Sequence, residues 1–247
     1  MVSLVAELAF ASPCAAAVPN LFADRSATAV WRSLDCGGIV ERRRLIVSGA
    51  VIDLGSAALW NARPDWEGVR RAPATSGAAR GMLASLRSAL DGQRDDWAWA
   101  APEADLLAES LLRPEPSFER AREVARRLVG RGPGLTPAGD DVLLGAFHAL
   151  WTLGANDGAC LSLCLGALGE ASTSTTALAG AWLEAGAAGE AAFPWHRLLA
   201  AWGSDDATAV SAALGEVAAI GASSGRAMLA GFEAVLRRAE QVAQPLG

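Results

Sequence analysis

The densest run of residues able to do chemistry in this chain is Gly130-Arg131-Gly132-Pro133-Gly134-Leu135-Thr136-Pro137-Ala138-Gly139-Asp140-Asp141. Gly130, Gly132 and Gly134 permit positive φ and close backbone approach. Thr136 is expected to cap a helix whose first residue is Pro137. The exposed amides of such a loop and helix start bind anions through oriented N–H groups and the helix dipole. Arg131, inside the loop, suits direct contact with a carboxylate or phosphate. Asp140 and Asp141 complicate that reading. The dipole favours carboxylates at a helix start, yet two of them repel a bound phosphate. A divalent cation such as Mg2+ bridging them removes the conflict. Otherwise one aspartate accepts hydrogen bonds from the loop amides. The other then accepts from a neutral donor on the substrate, such as a carbamoyl NH2. The bland alternative is an ordinary helix C-cap, loop and N-cap.

Two further helix starts are rich in hydroxyls. They are Ser172-Thr173-Ser174-Thr175-Thr176 and Gly221-Ala222-Ser223-Ser224-Gly225. Either alone reads as N-capping. With Thr136 they offer three hydroxyl-lined helix N-termini, which form a polar anion pocket if they converge. The expected substrate- or anion-binding set is therefore Arg131, Gly132, Gly134, Thr136, Gly139, Thr175, Thr176, Ser223, Ser224 and Gly225, with Asp140 and Asp141 as the catalytic pair. His148, among Leu144, Phe147 and Trp151, reads as a core histidine. His196 is expected at an exposed loop-to-helix junction, and Trp97 and Trp99 at the surface.

The elements that must position these residues differ along the chain. Thr28–Trp31, Leu45–Leu54 and Ala57–Trp60 are β-prone. Met82–Leu90 has helical spacing. Helices are expected at about 103–112 and 118–129, the latter capped by Ser117. They follow at about 140–153, 158–169, 176–188, 206–219 and 224–241. Several are apolar on most faces, which implies a bundle. The expected architecture is α+β, with a β-rich N-terminal domain over 1–114 and a helical domain over 115–247 that carries the loop.

Composition narrows the partners. The 247 residues are 52% hydrophobic and 19% charged, with a net charge of −6. That suits a globular chain and argues against nucleic acid. All 21 basic residues are arginine and tyrosine is absent, so Schiff-base lysines and a P-loop lysine are excluded. No apolar run reaches the length of a membrane span. The start of the chain lacks a basic leader, and its cysteines, at 14, 36, 160 and 164, form no C-x-x-C pair. A cytoplasmic location with reduced thiols is the expectation.

The segment Gly132-Pro133-Gly134-Leu135-Thr136-Pro137-Ala138-Gly139-Asp140-Asp141 resembles the signature of the AllH-like proteins, a family long of unknown function. That family includes a subunit of the oxamate carbamoyltransferase of anaerobic allantoin breakdown. Ser174-Thr175-Thr176 and Ile220-Gly221-Ala222-Ser223-Ser224-Gly225 fall where the family has its hydroxyl-rich motifs. The resemblance covers the chain from near Ser117 to near Glu240. Departures are Ala222 and Ala227, where the family has a histidine and an acid, and Val18–Phe22, where it has a His-Ser segment. The resemblance implies a subunit of a carbamoyltransferase acting on oxamate or oxalurate with carbamoyl phosphate or phosphate. It implies a small anionic substrate and either partner subunits or a homo-oligomer. The competing expectations are a non-catalytic assembly or ligand-sensing subunit, and a metal-dependent hydrolase built on Asp140 and Asp141.

Overall fold

The computed structural model describes residues 3–5, 15–17, 39–41, 44–47, 50–53, 61–71, 76–90, 97–113, 115–154, 166, 174–202 and 206–243. The expected strand at 57–60, the β-prone run at 28–31, the helix at 158–169 apart from residue 166, and all four cysteines lie outside them.

Among the described residues, strand backbone is confined to the first 53 positions and is short. β1 (Ser3–Val5) pairs in parallel with β2 (Ala15–Ala17). β3 (Ile39–Glu41), β4 (Arg44–Val47) and β5 (Ala50–Asp53) form an antiparallel meander. The rest of the fold is built from α1 (Trp66–Arg71), α2 (Ser76–Leu90), α3 (Ala101–Leu111), α4 (Phe118–Leu128), α5 (Ala138–Leu153), α6 (Ala177–Ala187), α7 (Phe193–Ala201), α8 (Ala207–Ala218) and α9 (Ser224–Ala243). From residue 61 onward the described residues are 76% helical and contain no strand. The α+β expectation, with a β-containing N-terminal part, is therefore corrected to a helical fold. Each strand has only three or four residues, too few to build a sheet face that could form a core. Helical spacing already governs the chain from α1 onward.

One apolar core runs through the helices. Leu86, Leu107, Leu128, Leu150, Trp195, Leu198 and Phe232 all belong to it and are fully buried. Helices on both sides of residue 114 share this core.

The central contact is between α5 and α9. A Cβ on Gly145 would stand 1.8 Å from the Met228 carbonyl oxygen, and one on Gly231 would stand 2.0 Å from that of Val142. Glycine lets the two backbones touch at their crossing. One turn before Gly145 and Met228 stand Asp141 and Ser224. The crossing thus brings the starts of both helices together.

α5 begins one residue later than expected. Pro137 occupies the N-cap position and no side chain caps the helix. The Thr136 hydroxyl, expected as the cap, is drawn instead to Ser224. Ser117 does sit at the N-cap of α4 but makes no side-chain cap bond. Thr176 caps α6, accepting the Ala179 amide at 3.1 Å.

Candidate functional site

The three hydroxyl-rich helix starts meet. Thr136 Oγ1 and Ser224 Oγ lie 2.7 Å apart. Thr175 Oγ1 donates to Asp140 Oδ2, and Thr176 Oγ1 donates to the Leu135 carbonyl. The loop, the start of α6 and the start of α9 thus close over the first turn of α5.

Gly130 makes the closure sterically feasible. Its φ is +70°, and a Cβ there would lie 1.9 Å from the Ser174 carbonyl oxygen. Any side chain would push the α6 start away from Asp140. The Gly130 amide also donates to Asp140 Oδ1 at 3.0 Å.

The two aspartates are both 2% exposed, but their surroundings differ. Asp140 has a donor on each oxygen. Burial raises its pKa, and the hydrogen bonds from Thr175 and Gly130 oppose that rise. Asp141 is pushed up to about 7, chiefly by burial and secondarily by the Asp140 charge, against hydrogen bonds from Ser224 and Thr136. Its Oδ2 has no hydrogen-bond partner among the described residues. A carboxyl that titrates near neutrality and keeps one oxygen uncommitted is equipped to take up or release a proton.

The loop amides divide into two groups. Those of Gly130, Arg131, Gly139, Asp140 and Asp141 bond within the protein. Among the described residues, those of Gly132, Gly134, Leu135 and Thr136 make no protein hydrogen bond. Residues 131–135 are exposed, Leu135 at 73%. Uncommitted amides therefore cluster on the solvent side of the buried acid pair.

Arg131 does not join the cluster. Its guanidinium lies 4.9 Å from the centre of the Trp99 ring, and its Nη1 reaches the Arg127 carbonyl at 3.5 Å. Its backbone carbonyl accepts the Gly139 amide at 2.9 Å and so ties the loop to α5. Gly139 and Gly225 are buried in their helix starts, while Ser223 is only partly buried.

The donor set fits a resident Mg2+ poorly. Both Asp140 oxygens already accept hydrogen bonds, which leaves Asp141 Oδ2 as the single uncommitted carboxylate oxygen. A magnesium site draws on several oxygen ligands. No group of three or more metal-ligating side chains occurs among the described residues.

His148 is a core residue, 1% exposed. His196 is half-buried and its Nε2 lies 3.1 Å from the Ala62 carbonyl oxygen, so it is not the exposed junction expected. Trp97 is buried and Trp99 partly so, because both flank α3 and pack on the core. A feature the sequence reading missed is a cavity beside His148, lined by Trp182 and Trp195.

Fold and site together define a helical protein with a buried aspartate pair beneath a glycine-rich loop. Residues 128–236 match the family described as oxamate carbamoyltransferase subunit AllH. This match supports an AllH-like family assignment for the chain. It runs from the end of α4 through most of α9 and includes the loop, both aspartates and all three hydroxyl-rich starts. No curated protein and no solved structure matches the chain. No helix among the described residues is long and apolar enough to cross a membrane.

Proposed function

We propose that this chain is a subunit of a carbamoyltransferase-type enzyme that acts on oxamate or oxalurate with carbamoyl phosphate or phosphate. The observation that carries the reading is the Asp140–Asp141 pair, buried under a loop whose amides from Gly132 to Thr136 are uncommitted. The family description supplies the chemistry. The loop amides hold the anionic group. Asp140 keeps the loop and the α6 start in position. Asp141 takes the N–H proton as the oxamate nitrogen attacks the carbamoyl carbon. A C–N bond forms, the carbon–oxygen bond to phosphate breaks, and phosphate leaves. Catalysis rests on positioning, proton transfer and electrostatic stabilisation.

Amide chemical shifts test the binding half of this reading. Titration of the labelled chain with phosphate or carbamoyl phosphate is expected to move the Gly132, Gly134, Leu135 and Thr136 amides saturably. Saturable shifts elsewhere, with those four unmoved, would remove the loop from the site.

One observation favours a second reading, a non-catalytic assembly or sensing subunit. The hydroxyls of Thr136, Thr175, Thr176 and Ser224 all hydrogen-bond within the protein. The two readings part over turnover, which requires Asp141 in the first and not in the second.

A further inference from the structure

Of the four hydroxyls that bond within the site, two have their protons committed. Thr176 Oγ1 donates to the Leu135 carbonyl, and Thr175 Oγ1 donates to the Asp140 carboxylate. Thr136 Oγ1 and Ser224 Oγ are different. They lie 2.7 Å apart, and either oxygen can be the donor. Both hydroxyls also hydrogen-bond Asp141. Asp141, Ser224 and Thr136 therefore close a ring of three contacts.

The number of protons in the ring decides how it behaves. A hydroxyl donates one proton and accepts on two lone pairs. With Asp141 ionised, the ring holds two protons for three contacts. Thr136 then donates to Ser224 and Ser224 to Asp141, which leaves a Thr136 lone pair to accept from outside. With Asp141 protonated, a third proton enters. The bonds then run the other way, from Asp141 to Ser224 to Thr136, and the Thr136 proton turns outward. The Thr136 hydroxyl thus accepts or donates as Asp141 loses or gains its proton.

Exposure gives the ring a direction. Asp141 is 2% exposed and Ser224 9%. Thr136 is only partly buried, and residues 131–135 before it are exposed. Its amide is one of the four that the loop leaves uncommitted. An anion held on those amides lies beside Thr136, with the carboxyl of Asp141 buried beneath.

We propose that Thr136 and Ser224 relay the proton between the substrate and Asp141, with Thr136 as the group that touches the substrate. The relay deepens the function proposed above and rests on that reading for the identity of the substrate. As the oxamate nitrogen bonds to the carbamoyl carbon, its N–H proton passes to Thr136 Oγ1. The Thr136 proton passes to Ser224 and the Ser224 proton to Asp141, so both hydroxyls are restored. The carbon–oxygen bond to phosphate breaks, and its electron pair leaves with phosphate. The charge of Asp140, the other titratable group acting on Asp141, favours the protonated carboxyl that results.

Two experiments test the relay. The first is a pH titration by NMR of the full chain, 13C-labelled at the Asp carboxyl and at the Ser and Thr Cβ. In the wild type, the Thr136 and Ser224 Cβ signals are expected to follow the Asp141 transition at about pH 7. Thr136→Val and Ser224→Ala each remove a donor to the ionised carboxyl, so each moves that transition to higher pH. Cβ signals flat through the Asp141 transition, or a midpoint unmoved in either variant, overturn the relay. The wild-type titration decides the matter should a variant fail to fold. The second experiment is turnover of oxamate and carbamoyl phosphate by the reconstituted complex. Thr136→Val is expected to lower kcat by about 100-fold with KM within about threefold of wild type. Thr136→Ser keeps the hydroxyl and is expected to recover kcat to within about tenfold of wild type. A loss of less than about tenfold in Thr136→Val overturns the relay. A wild-type complex without this turnover sinks the proposed function instead, and the titration still decides the relay.

Discussion

Asp140 and Asp141 are neighbours in sequence that keep different company. Asp140 is a structural keystone, holding Gly130 at one oxygen and Thr175 at the other. Replacing Thr175 by valine strips a donor from a buried carboxylate. The expected cost is about 1–3 kcal/mol at neutral pH, measurable by urea unfolding. Asp141 spends less of its hydrogen-bonding capacity on the fold. The pairing of the aspartates with a glycine-rich helix start was legible in the sequence, because loop glycines and dipole-favoured acids are local signals. The role of Thr136 was not. Local propensity made it a cap, whereas a partner 88 residues away claims its hydroxyl. Arg131 likewise looked suited to a ligand, but the Trp99 ring, far off in sequence, holds it aside.

At the scale of elements, the crossing of α5 and α9 sets the site. Gly231→Ala would drive a methyl carbon into the Val142 carbonyl, and Gly145→Ala one into that of Met228. Backbone cannot yield there as a flexible side chain would. Each variant is expected to lose more than about 2 kcal/mol of stability by overpacking. Urea unfolding checks this, and a loss below about 0.5 kcal/mol would show that the helices can separate at little cost. α3, α4, α5, α6, α8 and α9 were largely readable from apolar spacing, proline breaks and caps, whereas α7 (Phe193–Ala201) was not among the expected helices. Residues 45–54 read as β-prone from their β-branched content, and β4 and β5 do pair there. Extending that signal over the whole N-terminal part failed, because the apolar spacing from Trp66 to Leu111 is helical. Periodicity could not reveal that Gly145 and Gly231, 86 positions apart, would each touch opposing backbone.

For the molecule as a whole, burial raises the carboxyls of Asp140 and Asp141 and lowers the imidazoles of His148 and His196, most strongly at Asp141 and His148. Asp141 rises to about 7 and His148 falls to about 4. Unfolded aspartate titrates near 3.9 and unfolded histidine near 6.5. Between roughly pH 4.5 and pH 6.5 the folded state holds an extra proton at Asp141 and lacks one at His148, so their effects on the pH slope of stability offset each other. Asp141→Asn removes the first contribution. The variant should then gain stability as pH rises through that window, at up to about 1.4 kcal/mol per unit. His148→Phe leaves the Asp141 contribution, and its stability should fall as pH rises. Unfolding midpoints measured across the window check the signs, and slopes of the opposite sense would contradict the burial of either group.

The most direct test of the central claim is turnover of oxamate and carbamoyl phosphate by the reconstituted complex carrying Asp141→Asn. With Asp141 as the proton-transfer group, turnover should fall by at least about 100-fold while the complex still assembles. Assembly intact with turnover within about twofold of wild type would contradict the account and leave the aspartate pair a structural feature of the fold.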